Sequence, residues 1–245
     1  MGALVRAEVA WVRRNGGPLT SETQVQFARY RPAAAVEVPR LLGVADFERI
    51  PLDTCEARDV AAELDEALAA SHVEVSLLDA GRLELRQAQR VSELSPTHYP
   101  EVVPSVAGMV YVGAEVPLQL GGNYQLLGDG GLDVGPLSAS AVAPRAFPQL
   151  ASTPIERRAE ELVVRWTGGS DDEPALVEVK GSTRVVRCRA RDDGELAIRR
   201  ALYDTLPDGA VTLSVTRRTR APLLAPGIGE GTLSIILRDE ASVTR

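Results

Sequence analysis

The stretch Gly121–Pro144, GGNYQLLGDGGLDVGPLSASAVAP, decides how the chain reads. Two apolar-alternating runs, Asn123–Leu127 and Leu137–Val142, flank a glycine-dense turn at Gly128–Gly135, the pattern of a hairpin or β-arch. Past Pro144 the alternation restarts. The hairpin is therefore expected to be the closing edge of one β-sandwich, with Pro144–Pro154 as the linker to a second, smaller one. The expected fold is all-β: residues 1–148 as a β-sandwich domain with one short helical insertion, and residues 149–245 as an immunoglobulin-like β-sandwich domain.

Working outward, Leu4–Arg14 and Thr23–Arg31 alternate with period two, and Asn15-Gly16-Gly17-Pro18 turns the chain between them. From Glu56 to Ala70 the composition shifts to Ala, Leu, Glu and Asp, with Val60, Leu64 and Leu68 on one stripe, which predicts a helix. Val73–Leu77 and Arg82–Arg86 around Asp79-Ala80-Gly81 predict a hairpin, Ser95–Pro104 a proline-marked loop, and Met109–Val112 a further strand. In the second half, strands are predicted at Glu161–Trp166, Ala175–Lys180, Arg184–Ala190, Ala210–Arg217 and Gly231–Arg238, with Ile198–Leu206 as a crossover turn or helix. Their core face would carry Leu162, Val164, Trp166, Val211, Leu213, Val215, Leu233, Ile235 and Leu237.

The net charge is −7 and is unevenly spread: residues 1–148 hold 12 basic and 19 acidic residues, residues 149–245 hold 15 of each. An acidic first half repels phosphate backbones and a neutral second half offers no broad basic footprint, which argues against nucleic acid as a partner. No run of about 18 uninterrupted apolar residues is present, so no membrane-spanning helix is expected. Met1-Gly2 leads directly into an alternating strand, which leaves a cytosolic protein or a mature chain whose export segment has been removed as the two expectations.

Candidate chemistry is sparse. The only imidazoles are His72 and His98, and neither has a Gly-x-Ser-x-Gly elbow nearby. No catalytic residue is therefore assigned. Asp129 and Asp133 bracket Gly130-Gly131, and Asp171, Asp172 and Glu173 cluster in a second loop. Hard cations take oxygen ligands from such loops, so calcium at Asp129 and Asp133 is the metal expectation, against the plainer role of Asp beside Gly in a turn. Cys55 and Cys188 allow a single disulfide. Strand alternation turns Arg187, Arg189 and Arg191 outward, and with Arg217, Arg218 and Arg220 they form a basic surface able to meet an acidic partner.

Phe27-Ala28-Arg29-Tyr30-Arg31-Pro32, Pro51-Leu52-Asp53-Thr54-Cys55, Leu78-Asp79-Ala80-Gly81 and Gly130-Gly131-Leu132-Asp133-Val134-Gly135-Pro136-Leu137 share a layout with a wider group. So do Leu162–Trp166, Val186-Arg187-Cys188 followed by Asp192-Asp193-Gly194, and Leu206-Pro207-Asp208-Gly209-Ala210. This layout resembles uncharacterised, often exported or lipid-anchored proteins of myxobacteria and related soil bacteria. The resemblance implies β-sandwich architecture and residence in the cell envelope: periplasmic, outer-membrane-associated or secreted. The chain departs from that pattern in showing no export signal or lipidated cysteine at its start. The expected function is a non-catalytic structural or interaction module with a protein or cell-surface partner. The alternative is a carbohydrate- or protein-binding module steadied by calcium.

Overall fold

Period-two alternation of apolar and polar residues becomes strand almost everywhere it occurs. The computed structural model describes residues 2–30, 47–60, 75–98, 106–113, 115–169 and 173–244. The strands are β1 (Gly2–Arg14), β2 (Leu19–Tyr30), β3 (Thr54–Asp59), β4 (Val75–Leu77), β5 (Leu83–Gln87) and β6 (Arg90–His98). They continue as β7 (Val106–Ala107), β8 (Met109–Gly113), β9 (Asn123–Gly128), β10 (Leu137–Val142), β11 (Leu150–Arg157) and β12 (Glu161–Trp166). The last are β13 (Ala175–Lys180), β14 (Arg184–Ala190), β15 (Glu195–Arg199), β16 (Ala210–Ala225) and β17 (Gly229–Thr244). A short helix, α1 (Arg200–Tyr203), and a 3-10 turn, Phe47–Arg49, complete the described elements.

One sheet has the order β10-β9-β5-β6-β8-β2-β1-β17-β16-β13-β14-β3, with β4 and β7 attached beside β2; a second has the order β11-β12-β15. The long sheet curls until β10 lies along β16. There the Thr219 hydroxyl donates to the Val142 carbonyl, and the Gly135 N–H donates to the Pro226 carbonyl at 2.8 Å. The first core is enclosed by this curl: Trp11 of β1 packs on Tyr124 of β9, ring centroids 5.1 Å apart, among Val9, Phe27, Leu85 and Leu126. It is a sandwich whose two layers are joined through the strands between them. The Trp11 indole N–H, which burial would otherwise orphan, donates to the Val116 carbonyl at 2.7 Å.

The second core lies between β11-β12-β15 and β17-β16-β13-β14. The chain forms β11 and β12 in one sheet, crosses to β13 and β14, returns as β15 beside β12, and crosses again to β16 beside β13. Those crossings between two antiparallel sheets are those of an immunoglobulin-like sandwich. Leu162, Val164, Val177, Ile198, Leu213 and Val215 fill it.

Strands β16 and β17, 16 residues each, serve both cores. At about 3.3 Å per residue each is about 50 Å long. Odd-numbered residues face inward along both: Leu213 and Val215 line the second core, whereas Leu223, Leu233, Ile235 and Leu237 line the first. This corrects the expected core list, which gave Leu233, Ile235 and Leu237 to the second sandwich. Both cores thus draw on residues either side of position 148, since β3, from the first half, is the outermost strand beside β14. Between the cores the inward positions are polar. Arg217 pairs with Asp192, and Asp239 pairs with Arg13 at 2.6 Å while accepting the Leu150 N–H at 2.8 Å. β1 runs parallel to β17, and at Gly231 a Cβ would strike the Val5 carbonyl, so this crossing demands a residue without one.

Several local expectations change. Of the expected helix, Glu56–Asp59 belong to β3, held there by pairing with β14; Val60 is helical, and residues 61–70 lie outside the described residues. β4 does not pair with β5. It joins β2 and β7, and the hairpin partner of β5 is β6, through a turn in which Ala88 takes φ 54°. Ser95–His98, expected in a loop, extend β6; Pro96 lies past the end of the β5 ladder, where β8 is the paired neighbour.

Candidate functional site

The strand register assembles one face from five strands. Even positions on β16, β17, β1 and β13 and odd positions on β14 share the outer side of the long sheet, because neighbours across each ladder face the same way. Glu178 is flanked by Arg187 and Ser214, Leu176 by Arg189 and Thr216, and Thr216 in turn by Arg238. This outer face is not bare. Leu176 and Ile236 are only 6% exposed, because arginine stems and the Phe47 ring lie over them.

The result is a cleft of about 240 Å³, lined by Arg6, Glu8, Phe47, Glu178, Arg187, Arg218 and Arg238 above a floor of Leu176, Ser214, Thr216 and Ile236. A smaller hollow adjoins it, sharing Phe47, Leu176 and Arg218 and adding Glu48, Glu173, Arg189 and Arg220. Arg6 pairs with Glu8 at 2.6 Å and Arg187 with Glu178 at 2.9 Å. Arg187 also stands 5.9 Å from the Phe47 ring, holding the 3-10 turn against β14. Arg238 donates to the Thr216 hydroxyl at 3.1 Å. Arg218 forms the wall common to both hollows. Its guanidinium reaches Glu48 Oε1 at 3.3 Å, and Arg220 meets the same oxygen. Burial pushes the Arg218 pKa below its ordinary value, Glu8 and Glu173 work against that shift, and Arg6 and Arg189 reinforce it. The two hollows together carry six arginines against four glutamates.

Of the residues singled out from sequence, Arg187, Arg189, Arg218 and Arg220 come together here. Arg191 is exposed at the rim and pairs with Asp53 at 3.1 Å. Arg217 requires correction: it is 6% exposed and bound to Asp192, because consecutive strand residues face opposite ways and Arg218 takes the outward position. Arg6, Arg238 and Glu48 were not anticipated. Cys55 and Cys188 are bonded across the β3–β14 ladder, Cα atoms 4.1 Å apart. His98 is exposed at the end of β6, and His72 lies outside the described residues.

The Asp129/Asp133 loop is built as a turn. The Asp133 carboxylate accepts the Asp79 N–H at 3.1 Å, and the Asp133 N–H donates to the Asp79 carbonyl at 3.1 Å. Both aspartates are exposed, and among the described residues no three His, Cys, Asp or Glu side chains gather where they could hold a metal ion. Asp171 and Asp172 lie outside the described residues. Beneath the loop, the Tyr111 hydroxyl donates to Asp79 Oδ1 at 3.0 Å and accepts the Ala80 N–H at 2.7 Å. Burial pushes the Tyr111 pKa up from 10 to about 12. Below pH 10 the phenol is neutral in both the folded and unfolded chains and adds no pH dependence. Between pH 10 and 12 the unfolded chain ionises first, so stability is expected to fall by about 1.4 kcal/mol per pH unit. Denaturant midpoints across that range should show the decline, and Tyr111→Phe should remove this contribution to it.

No protein-family model matches the sequence, and no curated protein does. Among solved structures the chain is similar to the FN1-FN3 domains of chicken CNTN1, at 14% identity and a TM-score of 0.20, over 68% of this chain and 62% of that one. The chain thus spans less than two thirds of that structure, and its all-β fold rests on the strand register above.

Proposed function

We propose that this chain is a non-catalytic interaction module of the bacterial cell envelope, with the arginine-rich outer face as its contact surface. The observation that carries the reading is the cleft itself: guanidinium groups in excess of their carboxylates, partly desolvated, on a sheet shared by two packed cores. Such groups lose little freedom on binding and gain from charge-assisted hydrogen bonds. The Cys55–Cys188 bond supports residence in an oxidising compartment, where disulfides persist.

Sedimentation of the purified chain with an envelope fraction of the producing organism tests the reading. The unaltered chain should co-sediment, and Arg218→Glu with Arg220→Glu should reduce the bound fraction by about tenfold or more. Equal sedimentation of the two, or none by either, contradicts the proposal, as would turnover of a substrate abolished by His98→Ala.

A further inference from the structure

We infer that the hollow around Arg218 is a carboxylate site already occupied by an internal ligand, Glu48, and that its external ligand is an acidic peptide segment of a protein partner that displaces Glu48. The inference rests on the interaction-module reading and names the chemistry of the partner.

Glu48 supplies the key observation. It sits in the 3-10 turn Phe47–Arg49, and one of its carboxylate oxygens lies between Arg218 and Arg220. The structure therefore shows where a carboxylate is held in this hollow. This carboxylate is open to exchange: the Glu48 side chain is 52% exposed, and of its two partners Arg220 is the nearer, the contact with Arg218 being 3.3 Å long. A guanidinium has five N–H donors. Arg218 spends one on Glu48, while its side chain is only 18% exposed and so has limited water to satisfy the others. The guanidinium of Arg189, half-buried in the same hollow, makes no hydrogen bond or ion pair among the described residues, its backbone alone being bonded. An incoming carboxylate can thus take the Glu48 position, bind Arg218 bidentately and engage Arg189.

The spacing extends this to a segment bearing more than one acid. Arg238 lies across the adjoining cleft, reached over the apolar floor of Leu176 and Ile236. Successive outward positions of an extended acidic strand can meet Arg218 and Arg238 in turn, while its backbone lies over that floor. Glu8 and Glu178 are paired to Arg6 and Arg187, and Arg238 lies 3.7 Å from Glu240, so Arg189, Arg218 and Arg220, set against Glu173 and the displaced Glu48, carry most of the attraction for the incoming charges.

Titration of a fluorophore-labelled, end-blocked hexaglutamate peptide with the full chain at low ionic strength tests the inference. The unaltered chain should bind, and Glu48→Gln should bind about threefold or more tightly because the internal competitor is gone. Arg218→Gln should weaken binding by about tenfold or more. Arg189→Gln, which breaks no side-chain hydrogen bond among the described residues, should weaken it with thermal stability unchanged. Arg86→Gln, on a distant strand, should bind as the unaltered chain does. Failure of both the unaltered chain and Glu48→Gln to bind while folded, or indifference to Arg218→Gln and Arg189→Gln, overturns the inference. So does tighter binding of inorganic polyphosphate than of the peptide. If the peptide fails yet envelope sedimentation still depends on Arg218 and Arg220, the acidic-peptide assignment falls and the interaction reading stands. If both fail, both fall.

Discussion

Asp192→Ala should destabilise the fold by about 3–5 kcal/mol, the largest loss expected from any single substitution considered. Asp192 is 3% exposed, and its carboxylate takes two hydrogen bonds from Arg217 and one, at 2.8 Å, from the Trp166 indole N–H. Removing it leaves a guanidinium buried without a counter-charge and an indole donor without an acceptor. Water cannot readily repair either, because the site lies where the two cores meet. Arg217→Met combined with Asp192→Leu should cost much less than the single change, since no charge is then stranded. Urea unfolding should show this as a large midpoint shift for Asp192→Ala at constant slope, and a small one for the double variant. Equal losses would mean that the pair stabilises the protein directly and does not chiefly avoid an unpaired charge.

The second large effect is expected at Cys55 and Cys188. Replacing both by Ala should lower stability by about 2–5 kcal/mol, because the bond closes a span of 133 residues and so restricts the unfolded chain strongly. It also fastens β3, the strand at one end of the long sheet, to β14. Thermal and urea unfolding of the oxidised chain against the double-Ala chain measures the difference, and equal stability would remove the staple from the account.

How far the sequence led depends on what each segment presents. Leu137–Val142 alternates strictly, and Glu161–Trp166, Ala175–Lys180 and Arg184–Ala190 are short β-branched apolar runs set between turn residues; all four strands keep the predicted bounds. β6, RVSELSPTH, has only Leu94 buried, so nothing marks it as a strand until β5 and β8 pair with it. β3, TCEARD, has the composition of a helix start, and its partner strand is distant, Cys188 opposite Cys55 being 133 residues away. The predicted strand stops at Arg217, short of the end of β16 at Ala225, because the polar run Arg217–Arg220 falls where its inward face passes from one core to the other.

The candidate site divides the same way. Arg187 and Arg189 on one face follow from period two alone, and the same rule, applied to the adjacent pair Arg217 and Arg218, places them on opposite faces. Arg238 joins through the antiparallel pairing of β17 with β16, and Arg6 through the parallel register of β1 with β17, which no local pattern in the chain encodes. Glu48 sits in a short turn whose docking against Arg218 and Arg220 is wholly tertiary. Charge in the sequence named the surface, and register decided which charges share it.

The central claim, an oxidised interaction module of the cell envelope, is tested most directly by counting free thiols in denatured, unreduced protein isolated from its native source. The account predicts none, with Cys55 and Cys188 joined. Two free thiols would contradict it, remove the oxidising compartment from the account, and direct the search for an acidic partner to the cell interior.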